Sequence, residues 1–585
     1  MFAAFNASKK HLVWMSLLCC LWVNAQQDTT SLKEVVVSAT LIKNKLITAP
    51  TAVSVVKATQ IQPATAQLSL KEYLGQVPGL FAQNQYNYNQ DLRIAIRGFG
   101  ARAAFGIRGV QIVVDGIPET TPDGQGQLDN VPLGLIENIE VLRGPNGALY
   151  GNASGGVVLI NTLDSLSGQK LALRAMGGAF GLATHQATLS LKDKKWSSLL
   201  YYNQSSADGY REQSGFSQKL FNAKVGFSPN DNHQWVAQFN VTDSPYAKDP
   251  GGIALEQALE APRSAREANL IYQTSEKIRH LKTGLSHRYK WETNTLKNSG
   301  SLDSYLFAAK RDFTGLLPFN NGGVSAFERD YFGGGSRLSF QGKGTTVMGL
   351  GHAQQTDLRS RYNNEEGEKG ALSEQQKESY QNTHIFFSHQ RDWAAWMLSG
   401  SLRYDNIKMG LVQEGDYNIY RALSPSMTAG YRLSKNEFIG LQYAQSFETP
   451  TLSEVANTPQ GTLGLNRSLT PSKTKSFELI YRKKKQWGMA LLSLELSAFI
   501  SDTSGELLPY ELEAFPGRQF FNNSGVSKRK GIESQWRIQH GIWEWSSSYT
   551  WANYLFKTPN NTNIKGNRLP GIPDQQLQSE LTIKL

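Results

Sequence analysis

From Gln169 to the end of the chain, apolar and small polar residues alternate with a period of two. Trp235, Ala237, Phe239 and Val241 alternate with Gln238, Asn240 and Thr242. Leu492, Leu494, Leu496, Ala498 and Ile500 alternate with Ser493, Glu495 and Ser497, and Trp543, Trp545, Tyr549 and Trp551 with Glu544, Ser546, Ser548 and Thr550. Such a period places successive side chains on opposite faces of a strand. Strands of a soluble sandwich average about five or six residues, whereas these runs reach about ten or more, the length that crosses a bilayer. No later segment reads as a transmembrane helix. A closed barrel is the other fold that satisfies every backbone hydrogen bond in lipid. Rows of Trp and Tyr near strand ends suit an interfacial girdle.

The connections alternate in length. Short turns are expected near 194, 229, 293, 342, 435, 483 and 540, and long connections over 244–276, 314–328, 362–380, 449–472, 503–524 and 557–574. Short turns on one side and long loops on the other are the habit of bacterial outer-membrane barrels, and the pattern predicts about eighteen strands. The last is Gln575 to Leu585.

The N-terminus reads as a secretory signal spanning residues 1–25. Lys9, Lys10 and His11 are followed by an apolar stretch from Leu12 to Val23 and a cleavage site at Val23-Asn24-Ala25. The apolar stretch is too short to span a bilayer. The chain has 2 cysteines, Cys19 and Cys20, and both leave with the signal. A disulfide, an iron–sulfur cluster and cysteine catalysis are thereby excluded from the mature chain. The formal charge of +11 is spread out, with no basic run longer than Arg482 to Lys485, which argues against a nucleic-acid partner. Neither a nucleophile–base arrangement nor a zinc-type HExxH motif is present, so an enzyme is not expected.

Between the leader and the alternating region lies a compact mixed domain, residues 49–165. Val53 to Val56 reads as a strand, and Leu68 to Val77 has helical spacing stopped by Pro78-Gly79. The stretch from Arg93 to Gly156 carries three apolar runs separated by glycine-rich turns, read as strands. Arg97 and Arg143 each precede a glycine where a strand ends. Such arginines are usually solvated, but a partly buried one requires a carboxylate partner from elsewhere in the chain. Ahead of this domain, Glu34, Val35, Val36, Val37, Ser38 and Ala39 form an extended segment within residues 26–48. It can pair with its own domain or be offered to a partner's sheet edge.

With these residues in view, the chain resembles the TonB-dependent outer-membrane receptors, most closely the branch of ferric-citrate and ferric-siderophore receptors. EVVVSA resembles the TonB box. IRGFG, VVDGIP, IEVLRGP, LYGN and SGGVVLINT resemble successive plug signatures. DGYREQSGF, FETPTLSE, LTPSKTKSFELIY, NNSGVSKRKGIES and NRLPGIPDQQL resemble barrel landmarks. Each is weak alone; their order and spacing carry the resemblance.

The resemblance implies a transmembrane antiparallel β-barrel with an N-terminal mixed α/β plug domain inside, in the outer membrane of a Gram-negative bacterium. It implies roughly 22 strands, of which residues 166–585 supply about 18, and so a chain incomplete at its C-terminus; an eighteen-stranded barrel is the alternative. Only a short segment precedes the TonB box, so neither a signalling domain nor an extra sandwich domain is expected. TonB, with its inner-membrane proton-motive complex, is the implied partner. The implied cargo is a ferric chelate, with no resident cofactor or metal. The resemblance further implies that Arg97 and Arg143 face Glu478 and Glu533 of the barrel as a plug–barrel lock. The loops at 100–109 and 118–127 would lie near the plug apex. There Arg102 and Arg108, with Asp123 and Gln125, are the candidate ligand contacts, the arginines through charge-assisted bonds to an anionic chelate. Solvated or plug-packing roles for them stay open. Haem, cobalamin, thiamine, copper or nickel is an alternative cargo, although no histidine lies between FETPTLSE and LNRSLTPS, where haem receptors of the family carry one. A passive porin or an adhesin would share the barrel pattern but needs neither a TonB box nor a plug.

Overall fold

The computed structural model describes residues 35–584 except 85, 90–91, 104–105, 167–170, 294–297, 416, 463, 516–517, 524 and 560–563. The expected leader, residues 1–25, and Glu34 lie outside the described residues.

Strand β1 (Val36–Val37) pairs with β2 (Asn44–Lys45). A five-stranded sheet follows, built from β3 (Val53–Lys57), β6 (Val110–Val114), β7 (Ile117–Pro118), β8 (Ile136–Arg143) and β9 (Gly156–Thr162), in the order β3-β8-β9-β6-β7. Its single parallel pair is β6 with β9; the other neighbours are antiparallel. A separate hairpin joins β4 (Leu80–Gln83) to β5 (Arg93–Ile96). Leu70, Tyr73, Leu74, Ile94, Ile112, Ile139, Val158 and Ile160 are buried together as the core of this domain. Each such side chain contributes roughly 1.5–3 kcal/mol on burial.

The helix expected over 68–77 is only the turn Lys71–Leu74. The Glu72 carboxylate accepts from the backbone N–H groups of Gln67, Leu68 and Ser69 at 2.8–3.0 Å, which holds those residues in a loop. Gly75 and Pro78 then follow at once.

The remaining strands form an eighteen-stranded antiparallel sheet of barrel type from β10 (Leu171–Gly177) to β29 (Gln575–Ile583). Each strand pairs with the next in the chain, except that the hairpin β25 (Leu507–Glu511) and β26 (Gln519–Asn523) stands apart. Among the described residues no pairing joins β10 to β29, so the sheet has two free edges. Leu171 and Leu173 at one edge strand, and Leu577 and Leu581 at the other, are exposed. Alternation is realised as expected: in β24 (Ala490–Ser504) Glu495, Ser497 and Phe499 face inward and are buried, while Leu496 and Ala498 face outward.

Two expected connections are not connections. Residues 362–380 belong to a tall hairpin of β18 (Thr345–Glu365) and β19 (Glu368–Trp393), closed by Glu366 and Gly367, both at positive φ. Its tip is polar on both faces, so apolar alternation did not reveal it. The basic run near 483 lies inside β23 (Ser472–Trp487), and the turn falls at Gly488. Lys483 is held there by Glu437 at 3.1 Å on the neighbouring strand β22 (Glu437–Glu448).

Candidate functional site

Three clusters tie the N-terminal domain to the sheet that surrounds it. The first answers the arginines. Strand β5 ends at Arg97, whose φ of 51° turns the chain while its N–H donates to Gly79 O at 2.9 Å. Strand β8 ends at Arg143, followed by Gly144 at φ 84°. Both guanidinium groups enter the lumen wall, each 1% exposed. Arg97 donates from Nε and Nη2 to the two oxygens of Glu533 at 2.9 Å each, and also contacts Glu478 and, at 3.1 Å, Ser497. Arg143 donates to Glu533 at 2.5 Å and contacts Glu495. Glu478 lies on β23, and Glu533, fully buried, on β27 (Gly525–His540). The Phe499 ring lies 4.0 Å from the Arg97 guanidinium carbon.

The cluster is larger than the four residues expected. Glu495 also accepts from Arg482 Nε at 2.5 Å, and Arg482 donates to the carbonyls of Ala49 and Thr51 at 2.7 and 2.6 Å. Three guanidinium groups therefore meet three carboxylates, a neutral set. Glu495 was not singled out in the sequence; the signal that could have found it is a charge at an inward position between Ser493 and Ser497. Glycine is required at Gly79, where an added Cβ would stand 2.1 Å from Glu533 Oε1, and at Gly144, where it would stand 2.5 Å from Arg97 Nη1.

The second cluster holds the segment from Val35 to Ala39. Only Val36 and Val37 form a strand, and Val36 remains 52% exposed. Val37 and Ala39 are buried with Val53, Leu142 and Val157. The Glu140 carboxylate accepts from Ser38 N at 2.8 Å, Ser38 Oγ at 2.9 Å and Ala39 N at 2.7 Å. The Tyr150 hydroxyl donates to Ala39 O at 2.7 Å. Ser38 N, Ala39 N and Ala39 O, which another strand could use, are thus already engaged. Glu140 and Tyr150 were not singled out in the sequence, because each sits within an ordinary β or turn pattern.

The third cluster contains Arg102, Arg108, Asp123 and Gln125. The first three contact the loop that follows β22, which folds inward as the short helix Leu452–Val455. Thr451 and Glu454 cap that helix reciprocally. Arg102 contacts Glu448 and Glu454. Arg108 donates to Thr451 Oγ1 at 3.3 Å and Ser453 Oγ at 3.2 Å. Asp123 is fully buried, accepting from Thr121 Oγ1 at 2.6 Å and Leu452 N at 3.2 Å. Burial opposes its ionisation, but Arg329 and Arg108 outweigh that and hold its pKa below the ordinary carboxylate value. Gln125 accepts from Arg329 at 3.2 Å. In this arrangement these side chains are committed to the sheet and its loop rather than open to solution.

Residues 177–584 match the family model described as TonB dependent receptor-like, beta-barrel, and residues 45–157 match the TonB-dependent Receptor Plug Domain. The vitamin B12 transporter BtuB of Vibrio vulnificus is 23% identical over 545 residues, covering 89% of this chain and 78% of that protein. The ferric citrate transporter FecA in its unliganded form superposes with a TM-score of 0.72 at 18% identity, covering 92% of this chain and 82% of FecA. The ferric yersiniabactin uptake receptor FyuA of Yersinia pestis gives 0.70 at 16% identity, covering 91% and 83%. These relatives are receptors and transporters rather than enzymes, and the family is one of Gram-negative outer membranes. An N-terminal plug sheet tied by buried ion pairs into a barrel-type sheet, matched over most of the chain by both family models, makes this protein a member of the TonB-dependent receptor family.

Proposed function

We propose that the protein imports a ferric siderophore or a ferric-citrate-like chelate across the outer membrane, driven through TonB and its proton-motive complex. Residues 1–25 serve as the export signal, 26–48 carry the TonB box at 34–39, 49–165 form the plug and 166–585 the barrel. The observation that supports the reading is an N-terminal segment held by few contacts beside a domain tied to the sheet by buried ion pairs. The Val35–Ala39 backbone is held by a two-residue pairing with β2, by Leu46 N on Val35 O at 2.9 Å, and by one carboxylate and one hydroxyl, few contacts for a competing strand to replace. Behind it, the Arg97–Arg143–Glu478–Glu533 set acts as the lock that holds the plug until it is pulled. Arg102, Arg108, Asp123 and Gln125 meet the cargo once the loop carrying Leu452–Val455 lifts.

A second cargo, cobalamin, is supported by the coverage of the Vibrio relative. Uptake of radiolabelled ferric citrate, ferric siderophores and cyanocobalamin, with and without the gene under iron limitation, separates the two. Unchanged uptake of every ferric chelate refutes the iron reading, and gene-dependent cyanocobalamin uptake selects the second. Val36→Pro removes a strand donor and should abolish uptake while leaving ligand binding. Unimpaired uptake by that variant would mean passive diffusion.

A further inference from the structure

The outward face of the sheet is charged differently on its two sides. Lys473 and Lys475 lie near the start of β23, and Lys528 and Lys530 near the start of β27. All four alternate with buried side chains, so they point away from the lumen. Between them, near the end of β24, stands Asp502, also outward. In register, Lys475, Asp502 and Lys528 form one row across the three strands, and Phe477, Ile500 and Lys530 the next. The row after that is Leu479, Ala498 and Ile532, continued by Trp551 on β28 (Trp543–Pro559). The lysines thus stand where the apolar outer face stops. They stand at the end where β22 runs into the loop of Leu452–Val455 and β24 into the β25–β26 hairpin, the long-loop end that faces outside in barrels of this kind.

These five side chains set four positive charges against one negative. Lys528 reaches Asp502 at 3.7 Å; among the described residues Lys473, Lys475 and Lys530 make no ion pair. Strand spacing puts neighbouring lysines about 7–10 Å apart, close enough to repel and close enough to share one anion. The same end of the sheet is built otherwise on β14 (His233–Lys248), β15 (Ser275–Thr293), β16 (Asn298–Leu316) and β17 (Val324–Gln341). There the outward Arg279 meets Asp243 at 3.4 Å and stands opposite Asp312, and Lys310 stands opposite Asp330. Positive and negative side chains alternate across those strands, so that side answers its own charge. The β23–β27 side leaves its charge to be answered from outside the chain.

We propose that this face binds an anionic, phosphate-bearing lipid of the outer leaflet. The phosphate lies among Lys473, Lys475, Lys528 and Lys530, and the acyl chains run down over Leu479, Ala498, Ile532 and Trp551. Charge complementarity selects the anion, and the apolar rows directly beneath select one that carries hydrocarbon. A lysine stem lies comfortably along such rows while its ammonium group stays at headgroup level. Each ammonium brings three donors on a flexible stem, which suits convergence on one phosphate. The same three strands carry Glu478, Glu495 and Glu533 on their inner side, so the lipid sits on the outside of the wall that holds the plug. The site is independent of which cargo the receptor imports.

The whole receptor, placed in nanodiscs of equal phosphatidylglycerol and phosphatidylcholine, tests this when the lipids it retains on release are counted by native mass spectrometry. Phosphatidylglycerol should be retained over phosphatidylcholine by about tenfold or more. Lys473→Gln, Lys475→Gln, Lys528→Gln and Lys530→Gln together should bring the two lipids within about twofold of each other. Asp502→Asn should raise the preference by about two- to fivefold, a gain that misfolding does not produce. Removing a balanced pair on the other side, Arg279→Gln with Asp243→Asn, should change it by less than about twofold. Equal retention of both lipids by the unmodified receptor, a preference unmoved by the four lysine changes, or an equally large loss from the balanced pair overturns the assignment. Release of the retained lipid by inorganic phosphate, but not by chloride at the same ionic strength, would make this a site for free phosphate and overturns the lipid.

Discussion

Glu533→Ala tests the lock most directly. Glu533 is fully buried and takes hydrogen bonds from both Arg97 and Arg143. Its removal leaves the guanidinium groups of Arg97, Arg143 and Arg482 facing only Glu478 and Glu495, an uncompensated buried positive charge. Breaking one side of a buried pair costs about 3–5 kcal/mol, which corresponds to roughly a hundredfold to a few thousandfold in the equilibrium for plug release. Hydrogen exchange of the purified receptor in detergent measures this at the amides of β5 and β8, which should exchange faster by about that factor. Glu478→Ala with Glu533→Ala should loosen the plug further and raise leak of small antibiotics into cells. The balanced variant Arg143→Leu with Glu533→Leu leaves two guanidinium groups and two carboxylates. It should recover more than half of the loss, since buried pairs replaced by apolar groups are often close to neutral. Exchange in Glu533→Ala no faster than in the unmodified receptor, or a balanced variant as damaged as the sum of its single changes, would refute the reasoning.

Three further outcomes are expected. Gly79→Ala places a methyl group against Glu533 Oε1 at a backbone φ of 73° and should loosen the plug by about 1–2 kcal/mol or more, seen as faster exchange at β5; an unchanged rate counts against the close fit. Glu140→Ala removes the acceptor for Ser38 and Ala39 and should make residues 35–39 about tenfold more accessible to protease, with β8 unaffected. Asp123, whose folded pKa is depressed below 3.8, contributes stability that is complete above pH 3.8 and is lost as pH falls through its folded value. Protection of the Leu452 amide should therefore decline in acid, and Asp123→Asn should remove that dependence.

The long alternating strands were legible because a period of two with an apolar outer face has few other realisations. Leu492 to Ile500 lies in a strand, and the expected eighteen strands are present. Legibility failed where that outer face stops being apolar, at the tip of β18 and β19 and at Lys483 to Lys485 in β23. In the site, Arg97 and Arg143 announced a need for carboxylates through their place at strand ends. The third carboxylate, Glu495, and the third guanidinium, Arg482, were missed because their partners lie on other strands and on the backbone of Ala49 and Thr51. Glu140 was equally silent: its function is defined by Ser38, 102 residues away, and local pattern carries no trace of so distant a contact.

Those separations bear on the order in which the protein matures. Arg97 and Glu533 are 436 residues apart, and Arg143 and Glu533 are 390 apart. At a synthesis rate of about 5–20 residues per second, Arg97 leaves the ribosome roughly 20 to 90 seconds before the carboxylate that neutralises it. A plug that folded alone would expose two strand-end cations to water, and closing its apolar core would give it no means of burying them. The nascent plug therefore carries a record of its own incompleteness, and that record is erased only when the last third of the chain wraps around it. A receptor whose sheet has assembled without a seated plug would keep Glu478 and Glu533 as anions without their plug arginines, while Glu495 retains Arg482 on the neighbouring strand, an electrostatic mark by which a misassembled copy differs from a finished one.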